Sequence, residues 1–488
     1  MANRFQIDFD KSSPKTLPVP PGRRRSLPNH QKKTSRRSSR SLRNLAVLIA
    51  LVGLLALSGG PLAGGSALAE STIARTSDGS LGSPEPDRTR TPQTLIVWAG
   101  DAAHKAPDFI AVVDFDPNSP TYGKVLSTVP IPGPGGIGNE PHHVGLSSDG
   151  KTLALGGLLS VLRDQDQIFF FDVSDPRDPV FLSSNNPPHA SIADEIDGLD
   201  HGGFLATFMG SPDGANPGRL VEYDSSENFV QAWPLDPPND GFDPHGLSID
   251  EKHNLILTSD FICPLHTLYV PGGGKVILRG SVRVWDFKKR SIIRKITVGA
   301  PGSPAGTIDV ALIPHDPKLR AYTAGMADNK LYLIDPRRGT ATPVFDFSSF
   351  TVSSFPIWPQ LFRINRAATR LFITLNYDGQ AGKVVQLNIA NPEHPRFLSS
   401  VDLGLGSGPH YLALTKDEKR LVVSDYFLKE DLVPGGVVQA DGDHKVHVIK
   451  VEANSIALDP HFDLDFNRDI STGPARPHGL VVFPPHND

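Results

Sequence analysis

Pro141-His142-His143-Val144-Gly145-Leu146-Ser147-Ser148-Asp149-Gly150-Lys151-Thr152-Leu153-Ala154-Leu155 reads as a strand, a tight Asp-containing turn and a second strand. The phrase returns as Pro244-His245-Gly246-Leu247-Ser248-Ile249-Asp250-Glu251-Lys252, and again as Pro409-His410-Tyr411-Leu412-Ala413-Leu414-Thr415-Lys416-Asp417-Glu418-Lys419. Pro477-His478-Gly479-Leu480 opens a further run of this kind, while Pro314-His315 carries the same dipeptide into Asp316-Pro317, a turn. A unit that returns with Pro-His at its opening is an internal repeat. Imidazoles placed repeatedly at the start of a strand are expected to gather at one point.

Outward from these repeats the chain is strand after strand. Leu95-Ile96-Val97-Trp98, Phe109-Ile110-Ala111-Val112-Val113, Ile168-Phe169-Phe170-Phe171, Val282-Arg283-Val284-Trp285 and Leu331-Tyr332-Leu333-Ile334 are short apolar or alternating runs. Several end in a shared device, as in Phe171-Asp172-Val173-Ser174-Asp175-Pro176, Trp285-Asp286-Phe287, Ile334-Asp335-Pro336 and Leu387-Asn388-Ile389-Ala390-Asn391-Pro392. There an Asp or Asn side chain accepts hydrogen bonds from the following backbone N–H groups, and the chain turns outward. Such hairpins at intervals of roughly 45–70 residues predict four-stranded blades arranged radially. The fold expected is all-β, a seven-bladed β-propeller over residues 94–488. The composition agrees, with Gly 45, Pro 45 and 8% aromatic residues in 488, which suits many short strands and turns.

The formal charge of −5 hides an asymmetry, because residues 1–69 carry twelve Lys or Arg against Asp8 and Asp10. That segment holds +10, so the remainder holds −15. A domain that acidic argues against nucleic acid as a partner, since phosphate binding needs clustered cations. The basic stretch Arg23-Arg24-Arg25, Lys32-Lys33, Arg36-Arg37, Arg40, Arg43 precedes an apolar run from Leu45 to Leu57, and Ala67-Leu68-Ala69 follows. This order is that of an export signal cleaved after Ala69, with no stable membrane insertion afterwards and a periplasmic or secreted destination. Arg36-Arg37 after Ser35 loosely matches a twin-arginine signal, with general secretion as the equal alternative. The competing reading is an uncleaved anchor, for which the apolar stretch, interrupted by Gly59-Gly60-Pro61, is rather short. Residues 70–93, rich in Ser, Thr, Gly and Pro, read as a flexible linker. Cys263 is the single cysteine, so intrachain disulfides and Cys-rich metal sites are excluded, and its expected role is packing.

In a propeller the innermost strand of each blade lines the axis, so side chains from distant blades meet. His142, His143, His245, His410 and His478 are thereby candidate metal-binding residues. Aligning the remaining strands by the distance to their following hairpin puts Glu195, Asp309 and Gln360 at the corresponding places. Glu195 and Asp309 are the catalytic candidates, as acceptors of a proton or as carboxylates that orient a ligand imidazole. Several imidazoles with one or two carboxylates, and no thiolate, suit copper, iron or zinc. His201 beside Gly202-Gly203 and His315 read as turn residues. His444 and His447 have a spacing that puts them on opposite faces of a strand and are set aside.

The opening Pro107-Asp108-Phe109-Ile110-Ala111-Val112-Val113-Asp114-Phe115-Asp116-Pro117-Asn118-Ser119-Pro120, then Glu140-Pro141-His142-His143, Phe171-Asp172-Val173 and Pro188-His189-Ala190, resembles the selenium-binding protein family. The order and spacing match from about Pro107 to His478. The characterised members include methanethiol oxidases. The resemblance implies a seven-bladed propeller and, for the oxidase branch, a copper centre with histidine ligands. There a small-molecule thiol, methanethiol, reacts with O2 and water to give formaldehyde, hydrogen sulfide and hydrogen peroxide. The match of Pro188-His189-Ala190 adds His189 to the metal candidates. Cysteines that selenium-binding members carry near the amino terminus and after the His-His pair are missing here, and the segment from Ala193 to His201 lacks a histidine that several members have. Two other classes stay open: an exported binding or scaffold module with an inert channel, and a propeller hydrolase of the lactonase kind, which needs more axial carboxylates or Asn. No serine nucleophile elbow, phosphate loop or dinucleotide fingerprint is present.

Overall fold

Ile168–Asp172 carries Phe169, Phe170 and Phe171 in succession, and all three are buried. A strand that is apolar on both faces needs cover on both faces, and each full burial of a Phe contributes about 1.5–3 kcal/mol. The outer strand beside it, Val180–Asn185, alternates in exposure. This contrast between doubly covered central strands and half-exposed outer ones recurs around the molecule. It is what the radial packing of sheets produces.

The computed structural model describes residues 93–268, 277–351, 357–377, 381–425 and 442–486, with the pairs 429–430 and 437–438. The leader, the cleavage site after Ala69 and the linker up to residue 92 lie outside the described residues. Seven antiparallel sheets of four strands or more form the blades of a β-propeller. Their innermost strands are, for blades one to seven in turn, Pro141–Leu146, Ser191–Gly198, Pro244–Asp250, Thr307–Leu312, Ile357–Ile364, Pro409–Leu414 and Ala475–Phe483. Six blades run outward from the axis in chain order. The seventh is a composite, in which Ala475–Phe483 pairs with Thr94–Asp101, followed outward by Phe109–Asp114 and Val125–Pro130.

The turn device read in the sequence is present in the blades. Asp172 Oδ1 accepts from the Ser174 N–H at 2.8 Å, Asp335 Oδ1 from Arg337 at 3.1 Å and Asn388 Oδ1 from Ala390 at 3.0 Å. Each ends a third strand and starts the outward turn.

The seventh blade closes the ring by laying its innermost strand against the first. Gly479 makes this approach possible, since a Cβ there would lie 2.5 Å from the His142 carbonyl oxygen and 2.5 Å from Val144 Cγ1. Gly479→Ala is therefore expected to destabilise by about 1–3 kcal/mol. In thermal unfolding, the midpoint should drop by a few degrees. Gly135→Ala, where a Cβ meets nothing within 4 Å, should leave it in place; equal midpoints for both variants would refute this account of closure.

Candidate metal centre

All seven innermost strands share one irregularity. Pro141 and Val144 face Gly157 and Leu155, three steps on the inner strand against two on its partner. Ala193 and Ile196 do the same against Phe208 and Ala206, and Pro244 and Leu247 against Asp260 and Thr258. The pattern continues at Thr307/Val310, Pro359/Phe362, Pro409/Leu412 and Pro477/Leu480. Each is a β-bulge, where one extra residue bends the strand and re-aims its side chain. The first bulge residues, in blade order, are His142, Asp194, His245, Ile308, Gln360, His410 and His478. The second are His143, Glu195, Gly246, Asp309, Leu361, Tyr411 and Gly479.

Neighbouring blades pin these bulges. The Thr207 hydroxyl donates to the His245 carbonyl at 2.5 Å and Thr374 to that of His410 at 3.0 Å, while Ser424 does so for His478. In each case the hydroxyl comes from the second strand of the preceding blade. Gly246 is needed at its bulge because a Cβ would come within 2.8 Å of Val310 N in the next blade.

The result is a buried cluster on the axis. The His142 and His143 rings stack at 4.2 Å with an interplanar angle of 8°. His478 lies 4.3 Å from His142 and 4.9 Å from His410, ring centre to ring centre. Nitrogens of His142, His143, His410 and His478 all fall within 4.8 Å of one another; so do the donor atoms of His142, His143, Asp194 and His245. Asp194 is the pivot of the second group. One of its oxygens, Oδ1, is 3.3 Å from His142 Nε2, from His143 Nδ1 and from His245 Nε2. Yet neither oxygen accepts a hydrogen bond, and the residue is fully buried. A buried carboxylate in that condition is expensive without a cation.

The hydrogen-bond network assigns the ring nitrogens. His143 Nδ1 lies 2.6 Å from Glu195 Oε2, and His410 Nδ1 lies 3.0 Å from Gln360 Oε1. The Gln360 amide is oriented by its NH2 group, which donates to the Trp358 carbonyl at 3.3 Å, so Oε1 is the atom that faces His410. With Nδ1–H donating outward on both rings, the two Nε2 lone pairs point at each other across 3.3 Å. That spacing is the edge of a tetrahedron whose metal–nitrogen bonds are about 2.0 Å. Carboxylate and amide acceptors behind ligating imidazoles are the usual second layer of a metal site. The donor set thus fits a transition metal. Without a cation, the alternative is a proton kept in the Glu195–His143–His410 row.

Burial sets the protonation. Desolvation pushes His142 down to about 3 and His245 to about 4, the latter against the pull of Asp194. It also holds His143, His410 and His478 well below the usual imidazole range, with neighbouring rings adding to the effect. The rings are neutral near pH 7 and able to bind metal. Desolvation raises Asp194 to about 7 and lifts Glu195 and Asp309 as well, opposed in the last two by Arg363.

Of the sequence-predicted residues, His142, His143, His245, His410 and His478 converge, and Glu195 touches His143. His189 does not join them. It sits exposed in a left-handed turn, φ 69°, before the strand that begins at Ser191; the bulge of that blade is occupied by Asp194 and Glu195 instead. Asp309 faces the backbone, accepting from Val310 N at 2.8 Å and Phe362 N at 3.0 Å, with Arg363 at 3.9 Å. His201 and His315 lie in turns, and Cys263 is buried beside Asn216. Sequence reasoning missed Asp194, one residue from Glu195. It also missed Tyr411, whose ring meets His143 at 5.1 Å and whose hydroxyl donates to the Val144 carbonyl at 3.0 Å.

Residues 87–483 match the family described as 56kDa selenium binding protein (SBP56). A methanethiol oxidase of Hyphomicrobium sp is 27% identical over 348 residues, covering 64% of this chain and 71% of its own. Selenium-binding protein 2 of Mus musculus is 23% identical, covering 77% and 89%. Among solved structures, a hypothetical selenium-binding protein from Sulfolobus tokodaii superposes with a TM-score of 0.66 at 19% identity, over 81% of this chain and 95% of that one. A periplasmic gluconolactonase of Pseudomonas aeruginosa reaches 0.54 at 11% identity, over 80% and 99%. Both structural likenesses concern the fold alone.

The buried rings predict an acid-labile contribution to the stability of the metal-free protein. His142 and His245, held at about 3 and 4 against an ordinary 6.5, take up protons on unfolding. Their contribution is fully present above pH 6.5 and is lost as the pH falls toward 4. Asp194, Asp108, Asp243 and Asp425, all raised to about 7, and Glu195, raised as well, act in the opposite sense. The histidine contribution is therefore read as a difference. As the pH is lowered from 6.5 to 4.5, the urea midpoint of the metal-free parent should fall relative to that of a His245→Phe variant; an equal pH dependence of the two would contradict the burial of a neutral imidazole there.

Proposed function

The chain belongs to the 56kDa selenium binding protein family, and on that premise we propose that it is an exported, copper-dependent thiol oxidase. The reaction is oxidation of methanethiol by O2 with water, giving formaldehyde, hydrogen sulfide and hydrogen peroxide. The observation that carries this reading is the meeting of His143 and His410 through their Nε2 atoms at 3.3 Å, with the outer nitrogens engaged by Glu195 and Gln360. Relatives named methanethiol oxidase support the reaction class.

His142, His143, His410 and His478 would hold the copper, with Asp194 and His245 alongside. Bound copper supplies a one-electron couple and makes a coordinated thiol acidic at neutral pH. Glu195 fixes the ring plane and tautomer of His143. Arg363, 3.6 Å from Glu195 and 3.9 Å from Asp309, ties the two carboxylates into one layer and holds them in place. Asp194, 3.3 Å from His142, His143 and His245, is the carboxylate placed to receive the thiol proton. Tyr411, itself buried, packs its ring on His143. The low exposure of the candidate side chains favours small reactants such as a one-carbon thiol and O2. The family's selenium-type thiols are missing, and burial raises the Cys263 thiol above its ordinary value, so covalent chemistry at sulfur of the protein has no part in the proposal. The basic and apolar leader supports export to the periplasm or beyond.

Protein from an oxidising compartment should carry about one copper per chain by elemental mass spectrometry and release peroxide on addition of methanethiol. His142→Ala and His410→Ala should lose the copper while retaining the β-sheet circular dichroism spectrum. Glu195→Gln should weaken copper binding by about 10–100-fold. Full copper in both histidine variants would sink this site, and copper without peroxide from methanethiol would leave a metal-binding module.

A further inference from the structure

Away from the axis, blades three and six place a carboxylate at the same structural position. Asp260 faces Pro244 of its innermost strand, and Asp425 faces Pro409. Both are fully buried. In blade three the next strand answers with Arg283, opposite Thr258. Its Nε lies 2.8 Å from Asp260 Oδ2, Ser281 adds a hydroxyl at 2.6 Å, and Asp240 takes the far end of the guanidinium at 2.7 Å. The carboxylate is fully compensated.

Blade six carries His447 where blade three has Arg283, opposite Val423. An imidazole is shorter than a guanidinium, and it stops 3.9 Å from Asp425 Oδ2 and 3.7 Å from Asp443 Oδ1. Those spacings are too long for hydrogen bonds. Asp425 Oδ1 and His447 Nε2 are both buried and accept or donate none. Among the described residues Asp425 Oδ2 accepts from the Asp443 N–H at 3.4 Å, while Asp443 Oδ1 accepts from Lys445 N at 3.0 Å and the Lys445 ammonium stands 3.9 Å from Oδ2. One donor atom from each of Asp425, Asp443 and His447 falls within 4.8 Å of the others. Where blade three has a guanidinium, blade six has three donor atoms close enough together to hold a metal ion.

We propose that Asp425, Asp443 and His447 form a second metal site, separate from the axial cluster, for a borderline divalent cation of the zinc class. Two carboxylates and one imidazole neutralise such an ion and leave a position for water or a further ligand. Asp443 and His447 are partly exposed, 18% and 11%, which gives the ion a way in. The site does not depend on the oxidase reading.

The test uses the full chain dialysed against micromolar zinc, with bound metal counted by elemental mass spectrometry and stability followed by thermal unfolding. His447→Arg restores the arrangement of blade three, with a guanidinium for Asp425, and should fold at least as well as the parent. It should bind about one zinc fewer per chain and show a smaller zinc-dependent rise in Tm than the parent. Zinc taken by the axial histidines adds equally to both proteins, so the difference between them is the readout. Asp443→Asn, at a part-exposed position, should weaken this zinc at least about 10-fold and serves if the arginine variant misfolds. Equal zinc in parent and variants would overturn the proposal, as would a parent whose Tm ignores zinc.

Discussion

One extra residue in each innermost strand is the constraint on which the centre of this molecule depends. A regular strand sends successive side chains to opposite faces, so His142 and His143 would separate. The bulge keeps both near the axis, one above the other, and does the same for Asp194 and Glu195. Because the bulge recurs at one register position in every blade, residues far apart in sequence arrive at the same height. Hydroxyls of the preceding blade then hold the bulged carbonyls of His245, His410 and His478. The repeat is thus a device for convergence as well as for packing.

The convergence is electrostatically costly. Five imidazoles and the carboxylates of Asp194, Glu195 and Asp309 share a space from which water is excluded, and desolvation shifts each toward its neutral form. Proteins keep such clusters where chemistry requires them. The fold itself does not say which chemistry, since a gluconolactonase shares the propeller at a TM-score of 0.54. Nitrogen donors dominate this axis, with carboxylates placed behind or between them, and that composition separates it from an oxygen-lined hydrolytic site. The blade-six carboxylates obey the same rule. Asp260 is compensated by Arg283 at 2.8 Å, whereas the imidazole in the corresponding place, His447, stands 3.9 Å from Asp425.

Much of this was readable in the chain. The Pro-His openings, the Asp-containing turns and the doubly apolar runs such as Phe169-Phe170-Phe171 define strands and blades through contacts between near neighbours in sequence. The family resemblance rested on the same segments. Asp194 was passed over in favour of Glu195 because alignment by hairpin distance is good to one residue, and at a bulge one residue decides which atom reaches the centre. His189 carried the right dipeptide but belongs to a turn, which the dipeptide alone does not reveal. His447 was set aside by strand alternation, a rule that speaks of faces within one strand and not of Asp425 on the next.

Sequence by itself determined an all-β repeat, the hairpin turns, the strand-opening histidines and the family, because hydrophobic period and turn chemistry act over a few residues. Only the closed ring decided which side chains meet: His143 with Glu195 and His410, Asp194 between three imidazoles, Asp425 facing His447. Those pairings span blades or strands, and their atoms come together only when the last strand has joined the first and every bulge is in register.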